Sequence, residues 1–307
     1  MPQFNDTELT AAVIQSFEEA PDPRAKFLLQ ELVKSLHDYV RRTDLTFAEW
    51  EYAIDFLTRT GHKCTDIRQE FILLSDVLGV SMLVDAVNHR DRDGATETTV
   101  LGPFYVGEHK VTPDGTDISA ALPGERLYVQ ARVTDLDGKP VAGAPVDVWH
   151  ADDDGFYDSQ KASYATQGPS SRARFITGDD GRFHFRTILP CSYPIPTDGP
   201  VGEMIMQTRR HPMRPAHIHF LVAARGYEPL ITHVFMEGDK YLDSDVVFGV
   251  KDELVAQVER RTDAVMPDGT KTSEPWHLMT YDFRIKPGEG TPPAPLGVKA
   301  EKVSEDA

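Results

Sequence analysis

Arg214-Pro215-Ala216-His217-Ile218-His219-Phe220-Leu221-Val222 is the stretch whose reading decides the fold. Side chains two apart on a strand share a face, so His217 and His219 project together while Ile218, Phe220 and Val222 project the other way. This alternation predicts a strand with one apolar face turned toward a core. The two imidazoles can then converge on one ion, although a lone pair of this kind also serves ordinary structural roles. Two tyrosines change the balance: Tyr157 in Gly155-Phe156-Tyr157-Asp158 and Tyr193 in Cys191-Ser192-Tyr193-Pro194. A phenol, with a pKa near ~10, becomes a ligand only where a strongly charged cation displaces its proton. Two phenolates offset two of the three charges of Fe(III), and two neutral nitrogens complete a first shell for a hard trivalent ion. Zinc sites draw on Cys, His and carboxylates, so the tyrosine pair disfavours zinc.

Working outward, the texture from about residue 100 is that of a β-sandwich, with short alternating or β-branched runs separated by turn signals. Leu127 to Val133 leads into an Asp137-Gly138 turn, and Pro145 to Trp149 forms the next strand. Phe175–Thr177 and Arg182–Phe185 flank Asp180-Gly181; Thr232–Phe235 and Tyr281–Ile285 complete the set. Residues 251 to 261 are expected to form a short helix. The first third is helical in pattern: Leu28, Leu29, Leu32, Val33, Leu36 and Val40 recur at helical spacing after Pro21 and Pro23. Thr46-Phe47-Ala48-Glu49 matches a capping box, Gly61 reads as a stop, Asp66 as a further start, and Met82 to Val87 as another helix. Residues 288 to 307, rich in Pro, Gly and charge, read as a mobile tail. The fold class expected is therefore α+β: helical over 1–100, then a mostly antiparallel β-sandwich over 101–287.

The 307 residues carry 32 basic and 49 acidic side chains, a net charge of −17. Such a surface offers no footprint for nucleic acid and none for anionic membranes. Two cysteines, Cys64 and Cys191, do not make a disulfide framework. Met1 to Asp6 has neither a basic nor an apolar leader region, and no apolar run reaches membrane-span length. A soluble, reducing, cytoplasmic setting is expected. Asp152-Asp153-Asp154-Gly155 suggests a calcium loop, but Lys161 stands where an EF-hand needs its last glutamate, so these carboxylates read as a solvated loop.

Gly155-Phe156-Tyr157, then Leu189-Pro190-Cys191-Ser192-Tyr193, then Arg214-Pro215-Ala216-His217-Ile218-His219 stand in the order of the intradiol ring-cleavage dioxygenases, and the chain resembles that family over roughly residues 5 to 287. Leu101-Gly102-Pro103-Phe104-Tyr105 and Val146 to Ala151 fit as well. Within the family, Leu74 to Gly79, His233 to Asp239 and Tyr241 to Asp245 are most similar to hydroxyquinol 1,2-dioxygenases; many catechol enzymes have Gln where His233 stands here. The resemblance implies non-haem Fe(III) on Tyr157, Tyr193, His217 and His219, with Tyr193 leaving the ion to take a substrate proton. It implies cleavage of hydroxyquinol by O2 to 3-hydroxy-cis,cis-muconate, the enol form of maleylacetate, with catechol or chlorocatechol as the alternative substrate. Arg214 would stabilise negative charge developing on the substrate. Leu73, Val100, Leu101 and Gly102 would line the pocket, and His233 would be a pocket residue near the metal, able to hydrogen-bond a substrate oxygen or hold a ligand's ring in place, rather than a fifth ligand. Asp76, a carboxylate in the apolar run Ile72 to Leu78, needs a partner or a task; accepting from the third hydroxyl of hydroxyquinol would supply one. A homodimer through the N-terminal helices, with a bound phospholipid, is also implied. Readings from other classes are a non-catalytic β-sandwich that binds a metal or ligand, and a metal-assisted hydrolase, which would want a carboxylate ligand or a zinc-bound water.

Overall fold

A computed structural model describes residues 5–65, 68–107, 110–161 and 163–294. The chain divides into two compact units, Met1–Arg59 and Thr60–Ala307. The first holds α1 (Asp6–Gln15), α2 (Pro23–Thr43) and most of α3 (Phe47–Lys63), the helix within which the division falls. Asp22 caps α2, its carboxylate accepting from the Arg24 and Ala25 amides, and Pro23 supplies a preset φ at the first turn. The expected capping box opens α3: Glu49 accepts from the Thr46 amide at 2.9 Å and the Thr46 hydroxyl accepts from the Glu49 amide at 3.3 Å. Gly61 does not stop the helix, which runs on to Lys63. Its φ stays out of the left-handed region, so nothing local ends the hydrogen-bond ladder there.

In the second unit α4 (Glu70–Val77) and α5 (Val80–Asn88) precede the sheets. The helix start expected at Asp66 lies outside the described residues, as does the tail from 295 onward. The strands are β1 (Arg126–Thr134), β2 (Pro145–Trp149), β3 (Arg172–Ile176), β4 (Arg182–Ile188), β5 (Tyr193–Pro194), β6 (Met213–Arg214), β7 (His217–Val222), β8 (Leu230–Met236), β9 (Val255–Ala256), β10 (Val258–Arg261) and β11 (Trp276–Arg284). Two short helices, α6 (Tyr164–Gln167) and α7 (Pro200–Gln207), lie in the connections.

One sheet has the order β10-β11-β1-β4 and the other β3-β2-β7-β8-β9, with β5 and β6 paired separately. The α+β sandwich expected from sequence is the one observed, and its two main sheets are mixed: β1 runs parallel to β11 and β8 to β9, the remaining ladders being antiparallel. Asp180-Gly181 links strands of different sheets, since β3 pairs with β2 and β4 with β1. Residues 251–261 are not a helix. A single 3-10 turn, Asp252–Leu254, leads into β9 and β10, whose partners β8 and β11 supply ladder hydrogen bonds that a lone helical turn there would lack.

The core lies between the sheets. Leu127, Val129 and Phe185 from one meet Val146, Phe175 and Phe220 from the other. Each such side chain contributes about 1.5–3 kcal/mol on burial. Alternation then fixes the opposite face of the second sheet. With Ile218, Phe220 and Val222 in the core, His217, His219 and Leu221 face outward, and cross-strand register places Trp149, His219 and His233 side by side. Every residue of β7 is nonetheless buried, because the loops bearing the tyrosines cover this outer face.

Candidate active site

Two local features bring the tyrosines to the histidines. Tyr193 on β5 stands opposite Arg214 on β6, just before the strand that carries both imidazoles. Gly155 has φ +84°, and a Cβ there would lie 2.6 Å from the Tyr193 Cβ. Only glycine tolerates both that conformation and that approach, so the Gly155 turn is what lets the loop bearing Tyr157 close against Tyr193. Asp152 holds the turn, accepting from the Asp154 and Phe156 amides and from Lys161. Asp152 is therefore not part of a solvated loop; it is buried because its oxygens replace the turn's missing ladder partners.

The Tyr157 Oη lies 3.0 Å from the Tyr193 Oη, 2.8 Å from His219 Nε2 and 3.4 Å from His217 Nε2. The two Nε2 atoms are 3.3 Å apart. His217 Nδ1 donates to the Pro215 carbonyl at 2.7 Å, so its Nε2 carries a lone pair toward the cluster. Burial drives the His217 pKa down to about 3 and that of His219 well below the ordinary value; nearby Arg214 adds to the first, His233 to the second. Burial raises both tyrosines, Tyr157 the more strongly, and Arg214 opposes the rise at each. Neutral imidazoles and phenols, brought to contact distance in a buried site, form a donor set suited to a cation. The spacings match ligands about 2 Å from one centre. His217, His219 and His233 also form a cluster that could hold a metal ion. His233, however, turns Nδ1 toward the Arg214 guanidinium at 3.4 Å, away from the tyrosine oxygens.

Arg214 is buried and paired with Asp245, and it reaches His217 Nε2 with Nη1 at 3.3 Å. Burial opposes its charge, but Asp245 and the tyrosine oxygens more than offset this and hold its pKa above the ordinary value. A cavity of about 510 Å³ opens onto Tyr193 and Arg214, and its wall includes Leu73, Asp76, Val100 and Gly102. Leu101 clusters instead with Trp149 and Tyr157, and His233 stands beside His219 on the neighbouring strand and, like Tyr157, His217 and His219, is not on the wall itself. Gly102, at φ +76°, makes its close approach to His219, whose Cε1 would be 3.2 Å from an added Cβ. Asp76 is buried on α4, not surface-facing, and desolvation raises its pKa to about 6 against the pull of Ser81 and Arg214.

The family model described as Dioxygenase matches residues 100–287, and that of the catechol dioxygenase N terminus matches residues 22–96. The chain belongs to the intradiol ring-cleavage dioxygenase family. Among its relatives in that family, 6-chlorohydroxyquinol 1,2-dioxygenase of Cupriavidus pinatubonensis is 52% identical, the alignment covering 94% of this chain and 99% of the relative. Hydroxyquinol 1,2-dioxygenase of Nocardioides simplex is 46% identical over 93% of this chain and 97% of its own. The crystal structure of hydroxyquinol 1,2-dioxygenase from Pseudomonas putida superposes with a TM-score of 0.84 at 44% identity, covering 92% of this chain and 99% of that one.

Sequence reasoning missed several residues that shape this intradiol dioxygenase site. Trp149 stacks on His219 at 4.6 Å between ring centroids and 15° between planes. Phe104 stacks on Tyr157 at 4.4 Å. Arg172 donates twice to Asp158, the residue after Tyr157, through Nε and Nη2. Trp149 was within reach of sequence, since its alternation with the core residues Val146 and Val148 puts it on the histidine face once the strands are paired. Asp245 stood at the end of the Tyr241–Asp245 stretch that carries the family likeness, but nothing in the sequence pointed to its pairing with Arg214.

Proposed function

We propose that this chain is a non-haem ferric dioxygenase that cleaves hydroxyquinol (benzene-1,2,4-triol) with O2 to 3-hydroxy-cis,cis-muconate, the enol form of maleylacetate. The observation carrying the reading is the convergence of four uncharged donors, Tyr157 Oη, Tyr193 Oη, His217 Nε2 and His219 Nε2, at the end of a cavity that also presents Asp76. The donor set suits Fe(III), since its phenols can become phenolates and none of the four is a carboxylate or thiol. When bound, ferric iron supplies the charge that takes up a vicinal diol as its dianion and the electron acceptor that makes the ring reactive toward O2.

The chain's own groups do the rest. With the metal bound Tyr193 would be a phenolate, and as a phenolate it would take one of the two diol protons, the other leaving to solvent; burial, which favours the neutral phenol, would keep the proton on Tyr193 Oη. Tyr157 is held in place by Phe104 across its ring and by the Asp158–Arg172 pair beside it. Arg214 fixes positive charge where negative charge grows on the diol oxygens. Asp76 accepts from the third hydroxyl and so selects hydroxyquinol over catechol. The bond broken joins the two adjacent hydroxyl-bearing carbons, and both atoms of O2 enter the product. A chlorinated hydroxyquinol is the second reading, favoured by the relative from Cupriavidus pinatubonensis.

The proposed functional division is a helical region over 1–100 and a catalytic one over 101–287. α2 buries none of its side chains and exposes Phe27, Leu28, Leu32 and Leu36; a homodimer through this face, with phospholipid between the helices, would cover them. No described helix is long and apolar enough to cross a membrane, and Cys64 and Cys191 are unpaired, which suits a cytoplasmic setting. Turnover of hydroxyquinol under ¹⁸O2 tests the reaction. A six-carbon dicarboxylate retaining both labelled atoms is expected, and an aldehyde product or loss of both labels would contradict it.

A further inference from the structure

Arg214 is useful to the reaction just proposed only if one of its nitrogens is aimed at the donor cluster. Five N–H groups on a long side chain do not fix that aim by themselves. Asp245, buried and outside the wall of the substrate cavity, takes the opposite edge of the guanidinium: Nε donates to Oδ1 and Nη2 to Oδ2, each at 3.2 Å. Each carboxylate oxygen accepts a second bond from the backbone, Oδ1 from Val247 N at 3.3 Å and Oδ2 from Gly249 N at 3.0 Å. With Nε and Nη2 engaged, Nη1 is the nitrogen left to face His217. The pair closes against Gly249, where an added Cβ would stand 3.1 Å from both Arg214 Nη2 and Asp245 Oδ2.

The geometry points to Asp245 as the positioning residue for Arg214, with Gly249 as the gap that lets the clamp close, so that Nη1 is turned to the donor cluster while Nη2 is held between Asp245 and His233. A side-on bidentate pair fixes the plane of the guanidinium as well as its position. The backbone donors from 247 and 249 in turn fix the carboxylate, so the loop from Asp245 to Gly249 sets the aim of a cation on a different strand. Asp245 touches no substrate in this scheme and acts only through Arg214.

A double-mutant cycle tests this, because a merely structural role would cost the same whether or not Arg214 is present. Asp245→Asn keeps size and removes charge, and it is made in the wild-type and Arg214→Gln backgrounds. In the wild-type background kcat should fall about 10- to 100-fold, with KM within about threefold, the size of effect a displaced catalytic group gives. In the Arg214→Gln background the same change should alter kcat less than about twofold. Anaerobic titration with 4-nitrocatechol gives a readout apart from turnover: its dissociation constant should rise on Asp245→Asn only where Arg214 is present. Should Asp245→Asn not fold, Gly249→Ala, whose backbone conformation alanine can adopt, crowds the same clamp and enters the same cycle. Equal losses in both backgrounds, or no loss in either, would overturn the assignment. Wild-type hydroxyquinol turnover is read first. Its absence would refute the proposed reaction, and the clamp would then stand or fall on the 4-nitrocatechol cycle alone.

Discussion

Replacing Asp76 with alanine removes a buried carboxylate from the cavity wall, the group proposed above to read a third ring hydroxyl. The side chain is 6% exposed, and the cavity it lines also holds Tyr193 and Arg214. A hydrogen bond to a charged group contributes about 1.5–3 kcal/mol, which is roughly 10- to 150-fold in kcat/KM. Asp76→Ala should therefore lower kcat/KM on hydroxyquinol by about that factor and on catechol, which has no hydroxyl to lose, by less than about threefold. The pH dependence has a definite sign. Desolvation raises the Asp76 pKa to about 6, so the carboxylate is the majority form only above that value. In the wild type the preference for hydroxyquinol should grow as pH rises through 6 and weaken below it; in Asp76→Ala it should be flat. The assay is initial-rate oxygen uptake on both substrates between pH 5 and 8, with no-enzyme blanks for autoxidation. An equal loss on both substrates would refute the reasoning, leaving Asp76 with a purely structural role.

The same group sets a stability prediction. A pKa raised from the ordinary 3.8 to about 6 means that the folded state disfavours the ionised form. The resulting penalty is absent at low pH, grows as pH rises from 3.8 through 6, and reaches roughly 3 kcal/mol above it. Asp76→Asn should thus be more stable than wild type at pH 7–8, with the advantage gone near pH 4, as denaturant unfolding would show; a gain of the same size at both pH values would contradict it. Gly155→Ala combines a left-handed residue with a 2.6 Å approach to Tyr193 and should lose at least about 2 kcal/mol of stability together with most bound iron, measured by melting and metal analysis. Chelating the iron should lower Tm and abolish the red to burgundy colour of tyrosinate-to-Fe(III) charge transfer, and Fe(III) should restore both; a colourless iron-replete protein would contradict the assigned donors.

Much of this was legible in sequence where a short-range rule applied. The two-residue repeat from His217 to Val222 gave the strand, its buried face and the shared direction of the imidazoles. The helical spacing of α2 and the Thr46–Glu49 capping box were read the same way. What escaped depends on contacts between distant residues. The approach of Tyr157 to Tyr193 follows from the space above Gly155, which only the folded chain reveals. Asp152 and Asp245 sit in acidic stretches that look solvated, yet each is buried because backbone amides and a cation converge on it. Residues 251–261 are polar enough for a surface helix, but the edges of two sheets claim them as β9 and β10. Leu101 and His233 are off the cavity wall, as are Tyr157, His217 and His219, a placement that neither periodicity nor motif order can give.

The central claim is most directly tested by oxygen uptake on hydroxyquinol and on catechol, measured side by side with iron-loaded protein. Tyr157→Phe protein of verified iron content and a no-enzyme blank serve as controls. Fast uptake on hydroxyquinol, little on catechol and none above blank for Tyr157→Phe is the predicted result. Faster uptake on catechol would keep the ring-cleavage chemistry and overturn the substrate assignment, and no enzyme-dependent uptake on either would contradict the account as a whole.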